Sequence, residues 1–181
     1  MEIENTPLKD CFLLKPSVFH DHRGTFIESF NQERFEEVTG LRTNFVQDNQ
    51  STSKKGVLRG LHFQKGPFGQ AKLLRCVLGE VLDVVVDLRP NSPTFKKSFK
   101  AILSDENHLQ LYIPSGFAHG FLTLSEKSVF AYKCDQYYNK AADSGIIWND
   151  PTLAIDWNFP EGELILSEKD ANLPTFDETV L

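Results

Sequence analysis

At 181 residues the chain has the size of one domain, able to bury roughly two-thirds of the surface its unfolded form exposes. Its 40% hydrophobic and 24% charged residues are ordinary for a soluble globular protein. A net charge of −6 argues against generic binding to nucleic acid or to an anionic membrane, since both favour basic surfaces, but leaves room for a small anionic ligand held by a few local cations.

The opening Met1-Glu2-Ile3-Glu4-Asn5 has neither the basic nor the apolar stretch of a signal peptide. No run of about eighteen apolar residues follows, so no membrane-spanning helix is expected. Phenylalanine (15 residues) and recurring β-branched residues, punctuated by 11 Gly and 9 Pro, predict many short strands joined by turns. Strands are predicted at 12–14, 25–30, 44–50, 57–63, 72–78, 81–88, 99–103, 109–113, 118–123, 128–135 and 145–148. One helix is predicted after Asn31, a capping residue, with Phe35 and Val38 on one face and Gly40 at its end. Val77-Leu78-Gly79-Glu80-Val81-Leu82 reads as a hairpin with a two-residue turn. A second helical turn is expected from Ser167, ahead of Glu168 and Asp170. Closely spaced strands without long helices between them predict an all-β antiparallel sandwich or jelly roll, with no repeat or linker. Cys11, Cys76 and Cys134 are odd in number and far apart, which reads as buried thiols of a reducing compartment.

The run Leu58-Arg59-Gly60-Leu61-His62-Phe63-Gln64 sets a permanent cation and an imidazole three positions apart. A guanidinium matches phosphate bidentately, and an imidazole can take a proton near neutral pH. The pair suits a site that holds an anionic substrate and moves a proton on it. Strict alternation would send Arg59 and His62 to opposite faces, so Gly60 is expected to mark a bulge or bend. A second histidine, His119, follows Pro114-Ser115-Gly116-Phe117-Ala118. The spacing P-x-G-x-x-H resembles the second signature of cupins, which are small jelly-roll barrels. Metal-binding cupins carry an H-x-H pair where this chain has His62-Phe63-Gln64, and an amide is a poor ligand for zinc or iron. A cupin-like barrel without a metal is therefore expected.

Lys72, Tyr132 and Asp170 each have an ordinary reading: a strand-end lysine reaching water, a core tyrosine, a helix-capping carboxylate. With His62 they form a set for one reaction. Taking a proton from carbon beside a ketone needs a base over the carbon and a cation for the developing enolate oxygen, which a His and a Lys can supply. A tyrosine hydroxyl can return a proton to the opposite face and invert the centre. An Asp on the other ring nitrogen would fix the imidazole tautomer. Such chemistry calls for no metal and no redox cofactor.

Over residues 8–177 the chain closely resembles the dTDP-4-dehydrorhamnose 3,5-epimerase family, the sugar-nucleotide epimerases of dTDP-L-rhamnose biosynthesis. The motifs that carry the resemblance are Asp21-His22-Arg23-Gly24-Thr25-Phe26, Phe45-Val46-Gln47-Asp48-Asn49-Gln50-Ser51, the run from Leu58 to Gln64, Gln70-Ala71-Lys72-Leu73, residues 114–121, Tyr137-Tyr138, Asp150-Pro151-Thr152-Leu153-Ala154-Ile155-Asp156-Trp157, and residues 167–170. The resemblance implies a single cupin-type epimerase domain over residues 1–181, cytoplasmic and without a cofactor, acting on dTDP-4-dehydro-6-deoxy-D-glucose at carbons 3 and 5. It implies His62 as the base with Asp170 as its partner, Lys72 at the enolate oxygen, and Tyr132 as proton donor on the other face, with the Tyr138 hydroxyl a second candidate. His119 and Tyr138 would line the sugar pocket. Arg23, Glu28, Gln47, Asn49 and Arg59 would hold the nucleotide diphosphate or the sugar, with Phe26 against the base. Asp143, where family members usually carry Glu, and Lys169 complete the set. The resemblance also implies a homodimer whose N-terminal strand crosses over, so that Arg23, Phe26 and Glu28 serve the neighbouring subunit's site.

Three alternatives stand beside this reading: epimerisation at one carbon only or on a related deoxysugar nucleotide, a cupin used only for binding, and a metal-dependent cupin. The binding-only reading predicts loss of one of His62, Lys72, Tyr132 or Asp170, and all four are present.

Overall fold

The computed structural model describes residues 1–179. Its strands are β1 (Glu2–Asn5), β2 (Phe12–Lys15), β3 (Val18–Asp21), β4 (Gly24–Ile27), β5 (Gln47–Lys54), β6 (Leu58–Gln64), β7 (Lys72–Leu78), β8 (Glu80–Asp87), β9 (Ser98–Ser104), β10 (Gln110–Ile113), β11 (Phe117–Thr123), β12 (Lys127–Cys134) and β13 (Asp143–Gly145), with helices α1 (Gln32–Thr39) and α2 (Glu168–Ala171). They form a six-stranded sheet in the order β1-β2-β10-β7-β12-β5, a five-stranded sheet in the order β13-β6-β11-β8-β9, and a separate β3-β4 hairpin. The ladders within both sheets are antiparallel, which gives the expected cupin-like jelly roll. Among the described residues no helix is long and apolar enough to cross a membrane.

Side-chain alternation builds three apolar layers. Leu74, Cys76, Leu111 and Phe130 from the larger sheet meet Val81, Val85, Phe117 and Phe121 from the smaller one. On the outer face of the larger sheet, Leu73, Tyr112, Phe12 and Leu14 pack under α1. Asn31 accepts from the Arg34 backbone and caps that helix. Phe35, fully buried among Phe30, Phe45 and Tyr112, seats it; truncating such a side chain costs about 3–5 kcal/mol. On the outer face of the smaller sheet, Leu58, Leu61, Val84, Val86 and Leu122 pack under a C-terminal segment carrying Leu153, Trp157, Leu166 and Phe176. That segment therefore lies on the sheet that holds His62 and His119. All three cysteines are buried and free.

The expected hairpin at residues 77–82 does not form. β7 pairs with β10 and β12, whereas β8 pairs with β9 and β11. A lone Gly79, at φ 78°, carries the chain from one sheet to the other. Both flanks carry apolar residues, and they bury more by facing each other across the core than by lying side by side. Strand β1 and strand β3 lie outside the predicted set, being polar or too short to show a period. The strand predicted at 145–148 sits at Asp143–Gly145, that predicted at 44–50 begins at Gln47, and that predicted at 25–30 ends at Ile27.

Candidate active site

The site is set by one irregularity in β6. Against β11, His62 pairs with His119 but Arg59 pairs with Phe121, so three residues of β6 span two of β11. The extra residue is a bulge at Gly60, as expected from the sequence. Gly60 has φ 126°, and a Cβ on it would stand 2.5 Å from Cα of Gly120. Only glycine tolerates this combination. As a result Leu58 and Leu61 both turn outward into the layer under the C-terminal segment, and Arg59 and His62 both turn into the barrel.

His62 Nε2 lies 2.5 Å from Asp170 Oδ1, with the imidazole about one-third exposed and the carboxylate nearly buried. Burial alone would raise the Asp170 carboxyl, but the hydrogen bond and charge of His62 outweigh it and hold its pKa below the ordinary value. Asp170 arrives from the far end of the chain. Ser167 caps α2 by accepting the Asp170 N–H. Ahead of it, Ile165 is bridged in parallel to Val57. Beyond it, the Phe176 N–H donates to the buried Asp150 carboxylate at 2.7 Å. These contacts seat the short helix against β6.

The rest of the barrel is lined by inward groups of both sheets. Lys72 opens β7 and is buried, with Nζ 5.8 Å from the centre of the Tyr132 ring. Burial pushes the lysine's pKa down and the tyrosine's up. His119 on β11 is held by Asp83 at 2.8 Å, deep in the barrel. Arg59 Nε donates to Ser53 Oγ at 3.2 Å. Gln47 Nε2 donates to Asn49 Oδ1 at 3.0 Å, and Asn49 Nδ2 donates to Cys134 Sγ at 3.6 Å, so the inner face of β5 is a polar ladder. At the rim the Asp143 carboxylate accepts from both Tyr138 Oη, at 3.0 Å, and Lys169 Nζ, at 2.5 Å.

Eleven of the fourteen residues singled out in the sequence thus gather on the two inner sheet faces and their rim: His62, Lys72, Tyr132, Asp170, Gln47, Asn49, Arg59, His119, Tyr138, Asp143 and Lys169. Arg23, Phe26 and Glu28 stand apart. Arg23 pairs with Asp21 at the tip of the hairpin, Glu28 pairs with Arg34 of α1, and Phe26 is 69% exposed with Phe19 beside it.

Sequence reasoning missed Asp83 and Ser53. The signal for Asp83 was there: one carboxylate inside Val81-Leu82-Asp83-Val84-Val85-Val86 has to be paired if the strand is central. Gln64, the amide in place of a cupin ligand, ties loops together instead: Nε2 donates to the Phe68 carbonyl at 2.9 Å, and Oε1 accepts from the Asn139 N–H at 2.6 Å.

An imidazole backed by a carboxylate, an ammonium and a phenol around one barrel mouth suit an isomerase that moves protons on carbon. The family model for dTDP-4-dehydrorhamnose 3,5-epimerase matches residues 5–178. The chain is 53% identical over 180 residues to the dTDP-4-dehydrorhamnose 3,5-epimerase of Escherichia coli strain K12, covering 99% of this chain and 97% of that one. It superposes on the crystal structure of dTDP-4-dehydrorhamnose 3,5-epimerase from Elizabethkingia anophelis with a TM-score of 0.93 at 56% identity, covering 98% of this chain and 97% of the other. A dTDP-6-deoxy-D-glucose-3,5-epimerase from Legionella pneumophila, in complex with dTDP-4-keto-L-rhamnose, gives a TM-score of 0.94 at 47% identity, with 98% and 93% covered. The chain belongs to the dTDP-4-dehydrorhamnose 3,5-epimerase family, and it is an isomerase.

Proposed function

We propose that this chain, one cupin-type domain over residues 1–181, epimerises dTDP-4-dehydro-6-deoxy-D-glucose at carbons 3 and 5 to dTDP-4-dehydro-L-rhamnose in dTDP-rhamnose biosynthesis. The observation that carries the reading is the His62–Asp170 pair at the barrel mouth, with Lys72 and Tyr132 on the opposite wall. The neutral His62 takes the proton from carbon 3, the C–H electrons move to the 4-keto oxygen, and the Lys72 ammonium faces the charge that develops there. Asp170 steadies the imidazolium. The Tyr132 hydroxyl then gives its proton to the other face of the carbon, the enolate collapses back to the ketone, and solvent restores both groups. Carbon 5 lies on the other side of the same carbonyl, so the same groups serve it in turn. We assign the donor role to Tyr132 over Tyr138 because Tyr132 faces Lys72 inside the barrel, whereas the Tyr138 hydroxyl is spent on Asp143 at the rim.

The dTDP part of the substrate falls to the rim and the polar ladder: Gln47, Asn49, Arg59, Tyr138, Asp143 and Lys169, with His119 toward the sugar. The ligand in the Legionella pneumophila relative, dTDP-4-keto-L-rhamnose, supports this substrate class. A homodimer with an exchanged N-terminal segment accounts for the hairpin: a small sheet with exposed Phe19 and Phe26 and an arginine at its tip fits the site of a second copy, where Arg23, Phe26 and Glu28 would complete the nucleotide subsite. Free buried thiols fit a cytoplasmic home. The test is to incubate the sugar nucleotide with the protein in deuterium oxide and follow carbons 3 and 5 by NMR. Deuterium entering both positions with inversion is expected. Entry at one position would make this a single-carbon epimerase, and entry at neither would overturn the reading.

A further inference from the structure

Lys72 poses a problem that the family reading does not solve. Its ammonium is buried, and among the described residues no carboxylate touches it directly. A buried, unpaired lysine sheds its proton readily, and a neutral amine cannot offset an enolate. Three acidic groups act on it: Cys134, Asp83 and Asp143. Burial pushes the Cys134 thiol up, so it carries no charge at neutral pH. The Asp143 carboxylate already receives Lys169 and Tyr138. Asp83 differs. It is fully buried, Oδ2 meets His119, and Oδ1 has no hydrogen-bond partner among the described residues although water cannot reach it. An orphaned buried carboxylate oxygen is costly and demands a positive neighbour.

We propose that Asp83 is the counter-ion of Lys72. One carboxylate oxygen fixes the His119 ring while the other faces the barrel and keeps the buried ammonium charged for the enolate. Asp83 is thus a positioning residue that acts through Lys72, and the inference rests on the enolate role given to Lys72 above. The other charged or titratable groups around the cavity are Tyr132 and Cys134 on β12, His62 and Arg59 on β6, His119 on β11, Asp143 on β13, and Asp170 on α2. Of these, His62 is paired with Asp170, and Asp143 is already engaged by Lys169 and Tyr138.

The test is Asp83→Asn, which keeps the shape and a hydrogen bond to His119 but removes the charge. Turnover at neutral pH should fall roughly 10–100-fold with KM for the dTDP-sugar little changed, and the loss should shrink as pH is lowered, because the basic limb of the kcat profile moves down by about one unit or more. A merely structural role would lower kcat evenly across pH and leave that limb in place, which would overturn the proposal. A second measurement does not depend on turnover. In protein carrying 13Cε-lysine, the Lys72 resonance, assigned by its loss in Lys72→Met, should titrate at lower pH in Asp83→Asn than in the parent. Equal titration in both would overturn the counter-ion role, as would a Lys72 already neutral at neutral pH in the parent if the variant does not fold. Full turnover by Lys72→Met would instead overturn the enolate role itself.

Discussion

His62 and His119 are register partners on adjacent strands, and each imidazole is held through Nε2 by a carboxylate of its own, Asp170 for one and Asp83 for the other. The two pairs differ in access. The His62 side chain is 33% exposed and that of His119 is 7%, so a substrate entering the barrel meets His62 first. Neighbouring imidazoles in a cupin-like barrel would ordinarily suggest metal ligation, but here each is committed to a carboxylate of its own, Asp170 on α2 and Asp83 on β8.

That adjacency depends on the bulge. Replacing Gly60 with Ala would place a methyl 2.5 Å from Gly120 Cα and 2.8 Å from the His119 carbonyl oxygen, at a φ of 126° that L-residues avoid. Gly60→Ala is expected to cost about 2 kcal/mol or more in urea unfolding. The folded fraction should also lose turnover, since Arg59 and His62 would no longer share a face.

Arg59 lies near the mouth with one N–H on Ser53 and its remaining donors free of any carboxylate among the described residues. Arg59→Ala should weaken dTDP binding by about 10–100-fold in titration calorimetry, the loss of a charge-assisted contact, while kcat at saturation changes much less. Unchanged affinity would place Arg59 outside the diphosphate subsite.

Complementation can test the exchanged hairpin. Arg23→Ala and His62→Ala proteins should each be weak or inactive alone. If Arg23 serves the neighbouring subunit, a hybrid dimer has one site with both residues intact, and mixing after subunit exchange should restore up to about a quarter of the activity of the unmodified protein. If Arg23 serves its own site, every hybrid site lacks one of the two, and mixing restores nothing.

A third network is structural. Asp87 receives Arg89 at 2.8 Å, Ser92 at 2.5 Å and Thr94 at 2.6 Å, and Arg89 reaches on to Asp10. Burial works to raise the Asp87 carboxyl, but these hydrogen bonds prevail and bring it to about 2. A depressed carboxylate stabilises the fold fully above its unfolded value near pH 4, and that contribution is lost as pH falls through the folded value. Asp87→Asn should therefore be less stable than the parent by up to about 2 kcal/mol at neutral pH, with some of that screened because Arg89 is partly exposed. The gap should close toward about pH 2. Urea midpoints measured across that range check this, and a gap independent of pH would assign the effect to packing.

Most of the fold and much of the site could be read from the chain, for reasons that differ by element. Strands such as β7 and β11 are long apolar runs, and α1 has its cap, its buried Phe35 and its terminator within ten residues. The bulge followed from a contradiction: two useful side chains with the wrong parity and a glycine between them. The link from β7 to β8 was misread because local turn signals do not say whether two apolar strands will pair or face each other. Asp170 could be named but not placed from spacing alone, since its approach to His62 spans 108 residues. Asp83 was overlooked because it belongs to no motif, and its partner lies 36 residues away.

The most direct test of the mechanism is the rate of deuterium entry at carbons 3 and 5, measured separately, in the parent protein and in His62→Ala, with dTDP affinity determined alongside. One base serving both carbons requires that both rates fall together by roughly 10²–10⁴-fold while affinity stays within about threefold. Entry persisting at either carbon in the variant would mean that another group removes that proton.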